Sequence, residues 1–300
     1  MELSRDNIVA VVVWFNPGQD EVDAISLYCN EVSRVVVVDN STSPNADLLE
    51  ALPNVEYIPL FENKGIATAL NTGCRKALEY GAEWFLTMDQ DSRWDIHSFS
   101  DFLKETAEYG QIGNVGIFTP YHDCDGHPET HHRNGRFEER RMVMCSGNLL
   151  RAEAWLKANG FRDDFFIDSV DDEICCHLWK LGYKVVRANE IFLNHQLGEG
   201  IKYLPFTHHQ YIPHKAWRYY YIGRNIHRMM RLYPDTRRYY KREMRKYVKR
   251  LLLYDWDDKI AKLKNLKKYS KQIKGLQFCN FSNNSTVTII ISFFFCPQNS

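Results

Sequence analysis

The first ninety residues alternate short, uniformly apolar runs with amphipathic stretches. Ile8–Phe15 is continuously apolar and rich in β-branched residues, the pattern of a strand buried on both faces. It ends at Asn16-Pro17-Gly18, a turn signal. Residues 20–30 carry Val22, Ile25 and Leu27 among their apolar positions, which predicts a helix. Arg34–Val38 predicts a second buried strand, closed by Asp39-Asn40-Ser41, and Val55–Pro59 a short third. Lys64–Tyr80 has Ile66, Leu70, Ala77 and Leu78 near helical spacing and stops at Gly81, a residue suited to the C′ position. Residues 84–88 predict another strand. This β-α-β-α-β order implies an α/β fold built on a parallel sheet with right-handed crossovers.

The pattern is less regular further on. Val115–Thr119 predicts a strand, and 121–137, rich in His, Asp and Gly, a loop or irregular hairpin. Met142–Cys145 returns to strand character. Helices are predicted over Ala152–Asn159 and Asp171–Leu181, each followed by Gly, with short strands at Lys184–Arg187 and near Ile191–Leu193. From His214 the sequence becomes long, basic and helical, broken at Pro234. After Gly275 no charged side chain occurs. That tail contains the largely apolar run Thr286–Cys296, well short of the roughly 20 residues of a spanning helix.

Three hundred residues with 44% hydrophobic and 25% charged content are ordinary for a soluble globular protein. The zero net charge conceals an asymmetry: residues 214–274 hold 20 Lys/Arg against 5 Asp/Glu, and the remainder 18 against 33. An acidic body with a basic arm is expected to meet something anionic, such as a membrane surface or a phosphate-bearing substrate. The eight cysteines form no regular framework and no C-x-x-C, which predicts reduced thiols in an intracellular protein. The N-terminus shows no signal-peptide pattern.

Candidate chemistry gathers where predicted strands end. Trp84-Phe85-Leu86-Thr87-Met88-Asp89-Gln90-Asp91-Ser92 delivers two carboxylates at i, i+2 to the carboxyl end of a strand, where open α/β sheets bind ligands. Such oxygens suit Mg²⁺ or Mn²⁺ on substrate phosphates, although solvated loop acids would read the same way. Asp39 suits a ribose hydroxyl or a base N–H, or simply its turn. Asn63-Lys64-Gly65 precedes a helix N-terminus, a phosphate-favouring place, yet a plain Gly turn is commoner. Asp171 and Asp172 open a helix, as a general base or as first-turn acids, with Ser169 and Asp172 resembling a capping box. His195 follows the last short strand. It suits a metal or diphosphate ligand, or a surface position. His122, Cys124, His127, His131 and His132 match no structural zinc spacing, which predicts a solvated loop.

Taken in order, these pieces resemble glycosyltransferase family 2 of the GT-A fold, rhamnosyltransferase-like branch. The matching segments are Trp14-Phe15-Asn16-Pro17, Val37-Val38-Asp39-Asn40-Ser41, Asn63 through Asn71, Met88-Asp89-Gln90-Asp91-Ser92 and Ser146-Gly147-Asn148. They continue with Gly160-Phe161-Arg162, Phe166 through Glu173, Leu178 through Tyr183, His195-Gln196-Leu197-Gly198, Arg218-Tyr219-Tyr220 and Arg224-Asn225. The resemblance implies a Rossmann-like nucleotide-binding sheet flanked by helices over 1–213. A basic helical extension over 214–274 and an uncharged tail over 275–300 would follow.

It further implies an inverting transferase that takes a sugar from a nucleotide-diphosphate donor, dTDP-rhamnose or a UDP-sugar. The acceptor would be a saccharide or lipid-linked hydroxyl, in surface polysaccharide synthesis at the cytoplasmic face of the membrane. Phe15, Asn16, Asp39, Asn63, Lys64, Gly65 and Asp89 would line the donor. Asp89, Asp91 and His195 would serve the Mg²⁺ or Mn²⁺ site, and Asp171, or its neighbour Asp172, would be the base. No nucleic acid partner is expected. A phosphohydrolase of the haloacid-dehalogenase type, which also uses a strand-terminal D-x-D, is the competing enzyme class. A non-catalytic nucleotide-sugar-binding relative is the other alternative.

Overall fold

The computed structural model describes residues 3–110, 112–124, 127–128, 135–195, 202–203, 210–211 and 213–268. The N-terminal half runs β1 (Ile8–Trp14), α1 (Gln19–Ser26), β2 (Arg34–Asp39), β3 (Val55–Pro59), α2 (Ile66–Glu79) and β4 (Trp84–Asp89). Then come β5 (Ser92–Trp94), α3 (Ser98–Ala107), β6 (Val115–Cys124), β7 (His127–Pro128), β8 (Phe137–Glu139) and β9 (Asn148–Arg151). The chain continues with α4 (Ala152–Lys157), α5 (Val170–Lys180), β10 (Lys184–His195), β11 (Lys202–Tyr203) and β12 (Gln210–Tyr211). Three helices close the described part: α6 (Arg218–Leu232), α7 (Arg237–Leu253) and α8 (Lys259–Lys267).

One mixed sheet organises these elements, in the order β3-β2-β1-β4-β9-β6-β10-β5, with β7 beside β6 and β8 beside β10. Every residue of β1 is buried. Its alternating side chains therefore feed two cores. Val9, Val11 and Val13 pack on the side of α2, α4, α5 and α6; Ile8, Ala10, Val12 and Trp14 pack with residues of α1 and α3. This double burial explains why β1 and β2 read as continuous apolar runs.

Register fixes what the strands deliver. β1 pairs in parallel with β2 and β4, setting Trp14 against Asp39 and Val13 against Asp89. Three strands thus end at one level, with two carboxylates flanking the end of β1. The far half of the sheet is not parallel: β9 runs antiparallel between β4 and β6. β10 is a single long strand with a register irregularity between Arg187 and Phe192. Its last residues, Leu193–His195, pair antiparallel with β5, which follows β4 by only a short turn. The path across the sheet therefore returns to the residues just after Asp89.

Several expectations change. The sheet is mixed, because the segment after 140 re-enters it antiparallel. Met142–Cys145 is not a strand; the strand comes later, at Asn148–Arg151. Lys184–Arg187 and Ile191–Leu193 are parts of one strand. The 121–137 stretch is partly strand, since β6 extends to Cys124. The α3 helix and β5 have no counterpart among the predicted elements. The apolar run Thr286–Cys296 lies outside the described residues.

The C-terminal helices join the core: Tyr219, Ile222, Ile226 and Met229 of α6 pack in the same cluster as Val11 and Val36. Between α7 and α8 an ion pair is fully enclosed. Lys262 Nζ lies 2.8 Å from Asp255 Oδ1, with side chains 5% and 1% exposed, and Tyr219 donates to Asp255 Oδ2 at 3.2 Å. Among the described residues no helix is long and apolar enough to cross a membrane. Removing one partner of a buried pair strands the other charge. Asp255→Ala is therefore expected to lower unfolding stability by about 3 kcal/mol in a denaturant titration. A loss no larger than for an exposed charge would contradict the role given to this pair.

Candidate functional site

The crevice above the strand ends is built by hydrogen bonds between neighbouring turns. Asn16, left-handed at φ 51°, donates its N–H to Ser41 Oγ at 2.7 Å, and Asn40 N–H reaches Trp14 O at 2.8 Å. Gln90, between the two acids of the D-x-D, accepts from Phe15 N–H at 2.6 Å through Oε1. Phe15 itself stays 45% exposed at the rim. Asp39 is buried and accepts from Ser41 N–H, Asn45 Nδ2 and the Tyr57 hydroxyl at 2.7–2.9 Å. Burial pushes its carboxyl up, but these donors outweigh it and hold the group below its ordinary range. Asp39 thus shapes the crevice wall.

Asn63-Lys64-Gly65 forms the adjoining loop. Asn63 Oδ1 accepts from Asn40 Nδ2 and Gly65 N–H, and Lys64 N–H reaches Asn40 Oδ1 at 2.7 Å. Lys64 Nζ pairs with Glu62 at 3.3 Å on the surface. Gly65 has φ +87°, and a Cβ there would come within 2.5 Å of Phe166. The close approach it permits is to the turn before α5.

The acid pair meets His195 because β10 returns beside β5. Asp89, Asp91 and His195 each offer a donor atom, all within 4.8 Å of one another. His195 Nδ1 lies 3.5 Å from Asp91 Oδ1 and shares a 2.6 Å hydrogen bond with Ser92 Oγ. Ser146 Oγ–H donates to Ser92 Oγ at 2.7 Å and itself accepts from Asp89 N–H at 3.0 Å. His122, buried, donates from Nε2 to Ser146 O at 2.8 Å. Burial lowers its pKa to about 4, so it is a neutral prop. This corrects the solvated-loop expectation for His122; the side chains of the other members of that cluster lie outside the described residues.

Ser146 is held in turn by Gly147. Its N–H bonds Thr87 O at 2.7 Å, and its φ of +74° and the nearby Leu193 leave no room for a side chain. As a connected chain Ser92–Ser146–His122 has no sequence signature: Ser92 and Ser146 fall in separate motif segments, and His122 falls in the histidine-rich stretch.

Electrostatics supports a cation here. Burial, then the charge of Asp91, raises the Asp89 carboxyl to about 6, while His195 opposes the shift. Asp91 is also raised, chiefly by burial. Asp91 Oδ1 is enclosed and has no hydrogen-bond partner among the described residues. Two raised carboxylates, an orphaned oxygen and an imidazole fit a divalent ion of the Mg²⁺ or Mn²⁺ kind.

Asp171 and Asp172 begin α5, but the expected capping box is absent. Ser169 is left-handed at φ 58° and makes no side-chain cap. The Asp172 carboxylate instead accepts the Tyr240 hydroxyl at 2.6 Å. Asp171 Oδ1 accepts Asp172 N–H at 2.9 Å. Burial first, then the Asp172 charge and more weakly Asp89, lifts Asp171 to about 8. Asp171 therefore senses the D-x-D side and Asp172 the α7 side.

The turn before α5 carries three non-Gly residues at positive φ: Phe166, Asp168 and Ser169. Such conformations persist only where surroundings hold them. Here α6 does so. Buried Asn225 donates from Nδ2 to the carbonyls of Phe165, Ile167 and Asp168 at 2.7–2.9 Å. Arg218 Nη2 and Nε grip the Asp168 carboxylate at 2.9–3.2 Å.

Residues 24–166 match the sequence profile described as glycosyl transferase family 2. The dTDP-rhamnosyl transferase RfbF of Shigella flexneri is 30% identical over 250 residues, 76% of this chain and 81% of that protein. Among solved structures, GalNAc-T7 with UDP, GalNAc and Mn²⁺ aligns with a TM-score of 0.53 at 11% identity, over 65% of this chain and 44% of that one. TarS 1–349 of S. aureus in complex with UDP-GlcNAc aligns at 0.52 with 13% identity, over 75% of this chain and 66% of that one. The structural likenesses give the fold, an α/β fold of the GT-A type. The sequence relatives give the enzyme class and displace the phosphohydrolase reading. The chain belongs to glycosyltransferase family 2, as a rhamnosyltransferase-like member.

Proposed function

We propose that this nucleotide-sugar glycosyltransferase moves rhamnose from dTDP-rhamnose, with inversion, to a hydroxyl of a saccharide or lipid-linked acceptor in surface polysaccharide synthesis. The observation that carries the reading is the meeting of the Asp89–Asp91–His195 cluster with Asp171 at one end of the sheet. The name of the Shigella flexneri relative supports the donor. Phe15 and Asn16 lie along the nucleoside, Asp39 and its turn face the ribose or base, and the 63–65 loop closes the pocket. A bound Mg²⁺ or Mn²⁺, held by Asp89, Asp91 and His195, supplies a Lewis acid that offsets charge on the departing diphosphate.

The protein's own part is proton removal and positioning. The acceptor oxygen bonds to the anomeric carbon as the bond from that carbon to the diphosphate oxygen breaks. The hydroxyl proton passes to the Asp171 carboxylate. Asp171 suits this role better than Asp172, whose carboxylate is engaged by Tyr240. Asn225 and Arg218 hold the strained turn that aims Asp171.

We assign 1–213 to catalysis and 214–274 to a basic arm that meets the anionic inner surface of the membrane. Arg238, Lys241, Arg242, Arg245 and Lys249 line the exposed side of α7. Just beyond, Trp256 and Ile260 are each 70% exposed, an apolar tip beside a cationic stripe.

Release of dTDP from dTDP-rhamnose, measured with and without saccharide acceptors, tests the reaction. Asp171→Asn is expected to slow acceptor-dependent release by roughly 10²–10⁴-fold while nucleotide affinity is kept. Full activity in this variant would remove Asp171 as base. Because only the carboxylate accepts a proton, the wild-type rate is expected to rise with pH. Asp172→Asn, which removes the neighbouring charge, should move that rise to lower pH; an unmoved or upward-shifted profile would contradict the assignment. For the arm, cosedimentation with phosphatidylglycerol vesicles at low salt is expected, with release at high salt. Equal partition to neutral vesicles would refute an electrostatic role for 214–274.

A further inference from the structure

The first turn of α5 is braced from a second side, by α7. Asp171 Oδ1 accepts the N–H of Asp172 at 2.9 Å, so the base is oriented by the backbone of its neighbour. The side chain of that neighbour is held elsewhere: Asp172 Oδ2 accepts the Tyr240 hydroxyl at 2.6 Å. Tyr240 has little freedom of its own. It is buried, its ring meets Tyr239 edge-on at 5.0 Å, and Met142 Sδ lies 3.9 Å from its hydroxyl. A tyrosine hydroxyl has one proton to donate, and here it goes to a carboxylate, the stronger kind of hydrogen bond.

This bond bears on how the two carboxylates share their charge. Burial disfavours the ionised form of Asp172; the Tyr240 hydroxyl opposes that, and Glu243 of α7 adds to it. Burial, then the charge of Asp172, lifts Asp171 to about 8. A donor on Asp172 favours charge there and so bears on the base beside it. Asp171 also faces Asp89 at the end of β4, Arg218 of α6, Tyr239 of α7 and the thiols of Cys145 and Cys175. Asp172 faces Glu243 and Tyr239 of α7 and the thiols of Cys175 and Cys176. Burial pushes all three thiols and the Tyr239 hydroxyl up, so these groups stay neutral. Asp89, Arg218 and Glu243 are the charges that face the pair, and among the described residues none of the three hydrogen-bonds Asp172. Its tether is Tyr240.

We propose that Tyr240 is a positioning residue of the transfer: it acts on Asp171 through Asp172, by holding the neighbouring carboxylate to α7. This role rests on Asp171 being the base. It makes the start of α5 a turn braced by two helices. Asn225 and Arg218 of α6 hold the strained residues before Asp171, and Tyr240 of α7 holds the residue after it. The helix that presents cations outward thus has a fixed inward contact one residue from the chemistry.

The test uses the full chain with Mg²⁺ and dTDP. Carbon-13 NMR of labelled aspartate carboxyls follows each titration, with the Asp171 signal identified by its loss in Asp171→Asn. Tyr240→Phe is expected to move the Asp171 titration, and the rise of the acceptor-dependent rate, down by roughly one pH unit. The plateau rate should fall roughly tenfold with the KM for dTDP-rhamnose unchanged. In Asp172→Asn the neighbouring charge is already gone, so adding Tyr240→Phe should move the titration no further. A 3-fluorotyrosine at position 240 keeps the ring and donates more strongly, and should move the titration up.

An Asp171 titration that Tyr240→Phe leaves in place or moves up overturns the role, as does an equal shift in the Asp172→Asn background. A lower rate with an unmoved titration marks Tyr240 as packing alone and overturns it too. So does a rate profile that stays in place while Asp171→Asn is inactive. If Tyr240→Phe does not fold, the fluorinated protein decides: an upward shift supports the role, and no shift or a downward one overturns it. If Asp171→Asn transfers at full rate, the base reading fails by itself. The action of Tyr240 on Asp171 is then judged by the titration, where a downward shift lost in Asp172→Asn supports it and any other result overturns it.

Discussion

Like charges are gathered here at a density the fold must work to maintain. Asp89 ends β4 with Asp91 just beyond it, Asp171 and Asp172 begin α5, and burial raises all four carboxyls. The Asp91 charge adds to the shift at Asp89, and the charges of Asp172 and Asp89 to that at Asp171. Asp39, close by on β2, shows the opposite behaviour, because donors from Ser41, Asn45 and Tyr57 surround it. The contrast separates two uses of a carboxylate at a sheet edge. Asp39 is satisfied by Ser41, Asn45 and Tyr57 and serves as architecture; Asp91, with an enclosed oxygen that accepts no hydrogen bond among the described residues, lies beside Asp89 in a setting suited to positive charge.

Rigid scaffolding makes that arrangement tolerable. β1, β2 and β4 end in register, so the acids are placed by a buried parallel sheet and not by loops alone. Ser146, Ser92 and His122 fix the D-x-D turn against β10 and orient His195. On the other side α6 holds a turn with three residues in left-handed conformations through Asn225 and Arg218. The basic helices that look like an appendage in composition therefore have a structural part in holding the turn that leads into Asp171, besides presenting cations outward on α7.

Much of the nucleotide half was legible in the sequence because its signals are local. Apolar runs of strand length, turn residues after them and acids at i, i+2 each depend on a few neighbouring residues, and β1 to β4 follow them closely. The site beyond Asp91 was harder to read. His195 reaches the acids only because β10 is one long strand whose end pairs with β5. That pairing depends on register across about a hundred residues of chain. The Ser169–Asp172 spacing resembled a capping box, but tertiary contact with Tyr240 takes the Asp172 carboxylate instead. His122 sits in a segment whose composition reads as loop, yet strand pairing buries it. Asn225 is a polar residue inside an amphipathic helix, and only the carbonyls it meets reveal its purpose.

Pulsed electron paramagnetic resonance of Mn²⁺ added with dTDP tests most directly whether the raised carboxylates and His195 form a cation site. The expected result is a nucleotide-dependent Mn²⁺ signal with nitrogen coupling from one imidazole. That coupling should vanish in His195→Gln, and Mn²⁺ affinity should fall at least tenfold in Asp91→Asn, a loss of about 1.4 kcal/mol or more. Tight Mn²⁺–dTDP binding without nitrogen coupling, unaffected by Asp91→Asn, would contradict the site.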